Sequence, residues 1–257
     1  MFNRIETKLI RILQSIAYFM VWTTKFLVFS LFLRVKVEGR ENVPKKGRFI
    51  LAGNHQNFFD GFFLVYAIGP FKKVSFLIAR RSLKLKLFQI IAGSIGSVLI
   101  GNEIEEYQKA LKKLNRILSH GGLVGIFPEG DVSKHSLPRK FKGGVAKLSL
   151  DSKTKVIPIY LKGTYNLRYS WYWLKRPEIS IKIGKPVDLY NYAGQFGNNL
   201  EQMAMLLRER IIELVNLNEE ILSSSNIKPL VNVSDLKVRE VAVNAKTKES
   251  VIEKVAY

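Results

Sequence analysis

Apolar positions along the chain fall into two patterns, short unbroken runs and longer stretches that repeat near the helical period. The runs are Arg48 to Ala52 (RFILA), Val74 to Ala79 (VSFLIA), Ser97 to Ile100 (SVLI), Leu123 to Phe127 (LVGIF), Val156 to Leu161 (VIPIYL) and Ile179 to Ile183 (ISIKI). Each lies near Gly, Pro or Asn, so each predicts a short strand. Glu103 to Ser119 is amphipathic: Ile104, Tyr107, Leu111, Leu114 and Leu118 share one face, and Glu105, Glu106, Lys109, Lys112 and Lys113 largely occupy the other. Gly121 and Gly122 stop that helix. A late helix is expected over Asn199 to Leu222. Strand and helix alternating at this spacing predict an α/β domain, a mostly parallel twisted sheet flanked by helices. In such sheets reactive loops lie beyond the carboxyl ends of the strands.

The two ends of the chain break the alternation. Leu9 to Leu33 reads LIRILQSIAYFMVWTTKFLVFSLFL, long enough to cross a bilayer, with Lys25 the only charge after Arg11. Gln14, Ser15, Thr23 and Thr24 interrupt it, basic residues flank both sides, and no small-residue cleavage site follows. A cleaved signal peptide does not fit. The expectation is a hydrophobic, membrane-docking helical segment over residues 1–34 that lies in the interface or re-enters one leaflet. A true span, or a buried core helix, fits the same length. The α/β domain is expected over 35–222, and 223–257, polar and patternless after Ser223, Ser224 and Ser225, is expected to be an appended tail.

Charge narrows the partners. Lys and Arg number 41 against 21 Asp and Glu, a formal charge of +20, which favours polyanions, either nucleic acid or an anionic membrane surface. The hydrophobic amino terminus favours anionic membrane lipids, and no recognised nucleic-acid module is present, so no nucleic-acid partner is expected. Cysteine is absent, which removes disulfides, thiolate metal sites and cysteine nucleophiles.

Acid and base chemistry therefore falls to oxygen and imidazole, and residues 53–61, GNHQNFFDG, offer both. On a regular helix, positions five apart differ by about 140° in direction and about 7.5 Å in rise, which would separate His55 from Asp60. A strand-to-helix turn instead lets the carboxylate fold back onto imidazole Nδ1, fixing the tautomer and leaving Nε2 to take a proton. That is the histidine and carboxylate of a triad without its serine, suited to activating a hydroxyl that the substrate brings. A plain helix cap at Asp60 with a polar loop at His55 fits the same spacing. A second carboxylate, Glu129 in FPEG, follows the strand LVGIF at the same sheet edge.

NHxxxxD beginning at Asn54 and His55, FPEG at Phe127 to Gly130, FKGG at Phe141 to Gly144 and VIPI at Val156 to Ile159 stand in the order and spacing of a known family. Over about residues 35–185 the chain resembles the glycerolipid acyltransferases typified by 1-acylglycerol-3-phosphate acyltransferases. The resemblance implies transfer of a fatty acyl group to a lipid hydroxyl. The donor, acyl-CoA or acyl carrier protein, is a substrate, and no cofactor or metal is implied. It makes His55 the general base and Asp60 its orienting partner, and places Asn54, Glu129 and Gly130 in blocks that shape the substrate site. It also implies a membrane-associated protein at the cytoplasmic face.

Two positions depart from the family pattern. The family usually continues FPEG into Thr-Arg-Ser, where this chain has Asp131, Val132 and Ser133, and its second block usually ends in arginine, where GSVLIGN has Asn102. Those arginines hold the acceptor phosphate, because a planar fork of donors matches phosphate oxygens. Arg80 and Lys142 are candidate substitutes, with Arg81, Lys134, His135, Arg139 and Lys140 nearby; a solvated or headgroup-facing surface explains the same basic residues. Tyr169, Trp171, Tyr172 and Trp173 beside Lys175 and Arg176 fit either a membrane interface or a half-buried hairpin. A catalytically silent lipid-binding protein, or an acyltransferase for a non-phosphate lipid, remains compatible. No G-x-S-x-G elbow supports a serine hydrolase, and His55, His120 and His135 lack metal-ligand spacing.

Overall fold

A computed structural model of the chain describes residues 31–69, 72–82, 96–101, 103–133 and 137–215, together with Met20, Thr23, Gln89 and Ala92. Its strands are β1 (Arg34–Glu38), β2 (Phe49–Gly53), β3 (Val74–Ala79), β4 (Val98–Ile100), β5 (Leu123–Ile126), β6 (Val156–Lys162) and β7 (Glu178–Ile183). They form one sheet in the order β1-β7-β6-β2-β5-β3-β4. From β6 to β4 all neighbours are parallel; β7 is antiparallel to β6, and β1 is parallel to β7. The helices are α1 (Asp60–Ile68), α2 (Ile104–Ser119), α3 (Gly144–Ser152), the single turn α4 (Ser170–Trp173) and α5 (Leu200–Ile212). The mostly parallel α/β sheet flanked by helices is the architecture the pattern predicts.

β2 and β5 are buried at every position. Strands covered on both faces read as unbroken apolar runs, which is why these two stand out in the sequence. One face, with Phe49, Leu51, Ile157, Ile159 and Ile181, packs on Phe63, Leu64 and Ala67 of α1. Strand alternation turns Ile50, Ala52, Val156 and Tyr160, all buried, to the opposite face. There α3 packs between α2 and α5. Gly125 in β5 is bare for a packing reason, since a Cβ would run into the ring of Phe76.

Several features differ from the sequence expectation; the late helix expected over Asn199 to Leu222 ends at Ile212 as α5. β1 (RVKVE) was not anticipated, because its alternating charges leave no fully buried residue, as suits an edge strand. The Trp171 segment is the helical turn α4 and not a hairpin. Leu33 is buried in the core and Arg34 opens β1, so the sheet begins inside the segment assigned to residues 1–34. The rest of that segment lies outside the described residues, apart from Met20, Thr23, Leu31 and Phe32, and so does everything from residue 216 onward, including the expected tail. Among the described residues no helix is long and apolar enough to cross a membrane.

Candidate active site

The carboxyl end of β2 runs into a tight turn that ends where α1 begins at Asp60. Asn54 anchors its start: the buried amide donates to Leu161 O at 2.9 Å and accepts from Leu161 N at 2.7 Å, extending the β2–β6 pairing by one side chain. Asp60 anchors its end. Its Oδ2 accepts from the backbone N–H of Gln56 at 2.6 Å and Asn57 at 2.7 Å, and lies 2.8 Å from His55 Nδ1. The carboxylate is wholly buried, and its other oxygen, Oδ1, has no hydrogen-bond partner among the described residues. His55 therefore meets Asp60 through the folded-back turn that the spacing required. Its ring stacks on Phe127 with centroids 4.2 Å apart and planes 14° apart, and Phe127 stacks in turn on Phe76. With Nδ1 and one ring face occupied, the imidazole is fixed in orientation; its side chain stays 19% exposed.

β5 lies beside β2, so the loop carrying Glu129 falls at the same edge. Glu129 Oε1 accepts from His55 N at 2.9 Å, while Oε2 takes Arg139 N at 3.2 Å and Arg139 Nε at 3.3 Å. Ser133 N donates to His55 O at 2.6 Å, so the main chain of His55 is clamped on both sides by this loop. Gly130 sits at φ 80°, a left-handed turn that favours glycine, and the Lys142 side chain lies across it. Arg139 also donates from Nη2 to Asp131 O at 2.8 Å. Behind it, Arg208 of α5 donates to the carbonyls of Pro138 and Arg139 at 2.8 and 3.0 Å, and burial pulls its guanidinium below the ordinary arginine value.

The residues singled out in the sequence separate by what their side chains touch. His55 and Asp60 are paired. Asn54 and Glu129, expected at the substrate site, have their polar atoms on protein donors and acceptors, where they fix the shape of the two loops. Gly130 and Lys142 stand on the same loop edge. Arg80 is exposed on the 3-10 turn Arg80–Ser82 that follows β3. Its neighbour Arg81 is the one that reaches the loop, with Nη2 2.6 Å from Asp131 Oδ1. Asn102, Lys134 and His135 lie outside the described residues. Sequence reasoning gave no role to Phe127 as a ring support, to Ser133 or to Arg208. Phe127 was visible inside FPEG; contacts of Arg208 at a separation of about 70 residues leave no local signal. Among the described residues no cluster of His, Asp and Glu could hold a metal ion.

A mostly parallel sheet carrying a histidine and carboxylate pair at its carboxyl edge defines a candidate acid and base catalyst. The sequence model of the Acyltransferase family matches residues 34–162, half of the chain, and the chain belongs to that family. The 1-acyl-sn-glycerol-3-phosphate acyltransferase of Borreliella burgdorferi is 30% identical over 137 residues, covering 52% of this chain and 53% of that protein. A 1-acyl-sn-glycerol-3-phosphate acyltransferase of Chlamydomonas reinhardtii is 32% identical over 185 residues, covering 70% of this chain and 52% of that protein. The chain spans about half the length of these curated relatives. The crystal structure of the 1-acyl-sn-glycerophosphate acyltransferase PlsC of Thermotoga maritima shares the fold, with a TM-score of 0.59, 24% identity and coverage of 76% of this chain and 77% of that one.

Proposed function

We propose that this chain is an O-acyltransferase that moves a fatty acyl group from the thioester of coenzyme A or acyl carrier protein to the hydroxyl of a membrane lysophospholipid such as 1-acylglycerol-3-phosphate. The observation that carries this reading is the 2.8 Å contact between His55 Nδ1 and Asp60 Oδ2. Asp60 holds the proton on Nδ1, so the lone pair sits on Nε2. Nε2 takes the proton of the lipid hydroxyl as its oxygen attacks the thioester carbonyl carbon. The carbon–sulfur bond then breaks, the new carbon–oxygen ester bond remains, and the proton on Nε2 passes to the departing thiolate. No acyl group is left on the protein. The tetrahedral oxyanion calls for nearby backbone N–H donors.

The basic chain and its hydrophobic amino terminus support a membrane-associated protein at the cytoplasmic face, where the donor is soluble and the acceptor lies in an anionic bilayer. The relatives named above support the phosphate-bearing acceptor. A second reading rests on the charges beside the site. Arg81 is paired with Asp131 and Arg139 with Glu129, so these two guanidiniums are already neutralised. That arrangement favours an acceptor without a phosphate monoester, unless Lys142 and Arg80 bind one.

The test is thiol release by purified protein given acyl-CoA with 1-acylglycerol-3-phosphate, lysophosphatidylcholine or monoacylglycerol. Faster turnover of the phosphate monoester supports the first reading, and indifference among acceptors supports the second. No thiol release with any acceptor contradicts both and leaves a silent lipid-binding protein.

A further inference from the structure

Apolar exposure on this molecule is concentrated. Among the described residues, the exposed large hydrophobic side chains fall in the amino-terminal stretch, as at Leu31, in the two loops beside His55, at Phe58 and Val132, and around α4. There Leu174 is 80% exposed and Trp171 54%. These places adjoin. Arg34 donates from its backbone N to Pro177 O at 3.0 Å and from Nε to Arg176 O at 3.2 Å, so the chain enters the sheet against the residues that follow α4. At the other end Trp173 packs edge-on against Phe59 at 5.7 Å, and Phe59 against Phe58 at 5.7 Å, which carries the ridge to the turn that holds His55. Buried packing accounts for Trp173, whose Nε1 donates to Leu167 O, but not for Trp171 or Leu174.

Charge selects the occupant. From Gly163 to Pro177 every charged residue is Arg or Lys. Lys175 Nζ lies 4.8 Å from the Trp171 ring centroid, and Arg168 stands over the ring of Tyr169 at 5.0 Å. Exposed tryptophan and tyrosine interleaved with cations suit the headgroup level of an anionic bilayer, where rings sit at the apolar boundary and each cation meets lipid phosphate.

We propose that the α4 ridge is a membrane-contact surface, distinct from the amino-terminal hydrophobic segment, that seats Trp171 and Leu174 among anionic headgroups and turns the His55 loop toward the lipid. The proposal rests on the lipid-acceptor reading for its purpose but not for its geometry.

The experiment uses the full chain with Trp22→Phe, which leaves Trp171 and Trp173 as the fluorophores. Vesicles contain phosphatidylglycerol and phosphatidylcholine in equal parts, with or without bromine on the acyl chains. The expected result is a blue shift and quenching by the brominated lipid. Trp171→Ser with Leu174→Ser should weaken vesicle partition about tenfold, since two apolar side chains no longer leave water. The same double variant should lose turnover of a vesicle-embedded acceptor while keeping turnover of a short-chain acceptor below its micelle concentration. Bound protein whose tryptophans are neither shifted nor quenched overturns the proposal. So does a double variant that partitions normally, or one that instead converts a dimer to a monomer in sedimentation equilibrium, which would make the ridge a contact between copies. Failure of the acyl-transfer reading looks different: neither acceptor is turned over, while quenching persists.

Discussion

Asp60 takes three hydrogen bonds on one oxygen, two from backbone N–H groups and one from imidazole. A single carboxylate thus shapes the turn and orients the imidazole. Asp60→Asn keeps the size and an acceptor oxygen but removes the carboxylate that His55 Nδ1 meets. Its expected outcome is a kcat lower by roughly 10²- to 10⁴-fold, with a stability loss of only about 1–3 kcal/mol; steady-state kinetics and thermal unfolding on the same preparation check both. Glu129 presents a sharper choice of role. Its buried carboxylate binds the backbone of His55 and Arg139. Glu129→Gln would set an amide N–H₂ against donors of Arg139, so kcat should fall about tenfold or more while the KM for the acceptor stays within a factor of about two, the mark of a positioning role. A rise in acceptor KM at constant kcat would instead make Glu129 a substrate contact.

At the scale of elements, the buried strands were legible because their apolar runs are continuous, and α2 because its faces separate cleanly. β1 was not, since an edge strand needs no apolar pattern, and α4 was not, since four residues carry no period. The His55 and Asp60 pairing was legible as a possibility from spacing, and geometry decided it through the turn that brings residue 60 back. The support from α5 was invisible because it joins positions far apart in sequence. Arg208 holds two carbonyls of the segment that carries Arg139, and Arg139 in turn holds Glu129. Arg208→Met removes the Nε–H that both carbonyls share while keeping much of the apolar stem. Faster amide exchange at Arg139 and Ser133 is expected, with α1 unaffected, and hydrogen-exchange mass spectrometry reads this directly.

For the whole molecule, a charge of +20 and the exposed apolar ridge around α4 both fit the proposed contact with a bilayer bearing negative headgroups. Binding to anionic vesicles should therefore weaken steeply between low and physiological salt, because the attraction of exposed cations is screened over about 10 Å at 0.1 M; vesicle sedimentation across a salt series measures it. On the proposed function, docking would bring the acceptor hydroxyl to the sheet edge where His55 stands, with the acyl donor arriving from solution. Single-turnover acyl transfer by the full chain and by His55→Ala, with both substrates saturating, tests the assignment of the base most directly. A rate lower in the variant by at least about 10²-fold, with vesicle binding unchanged, is the predicted result; a variant that transfers as fast as the parent protein would contradict it.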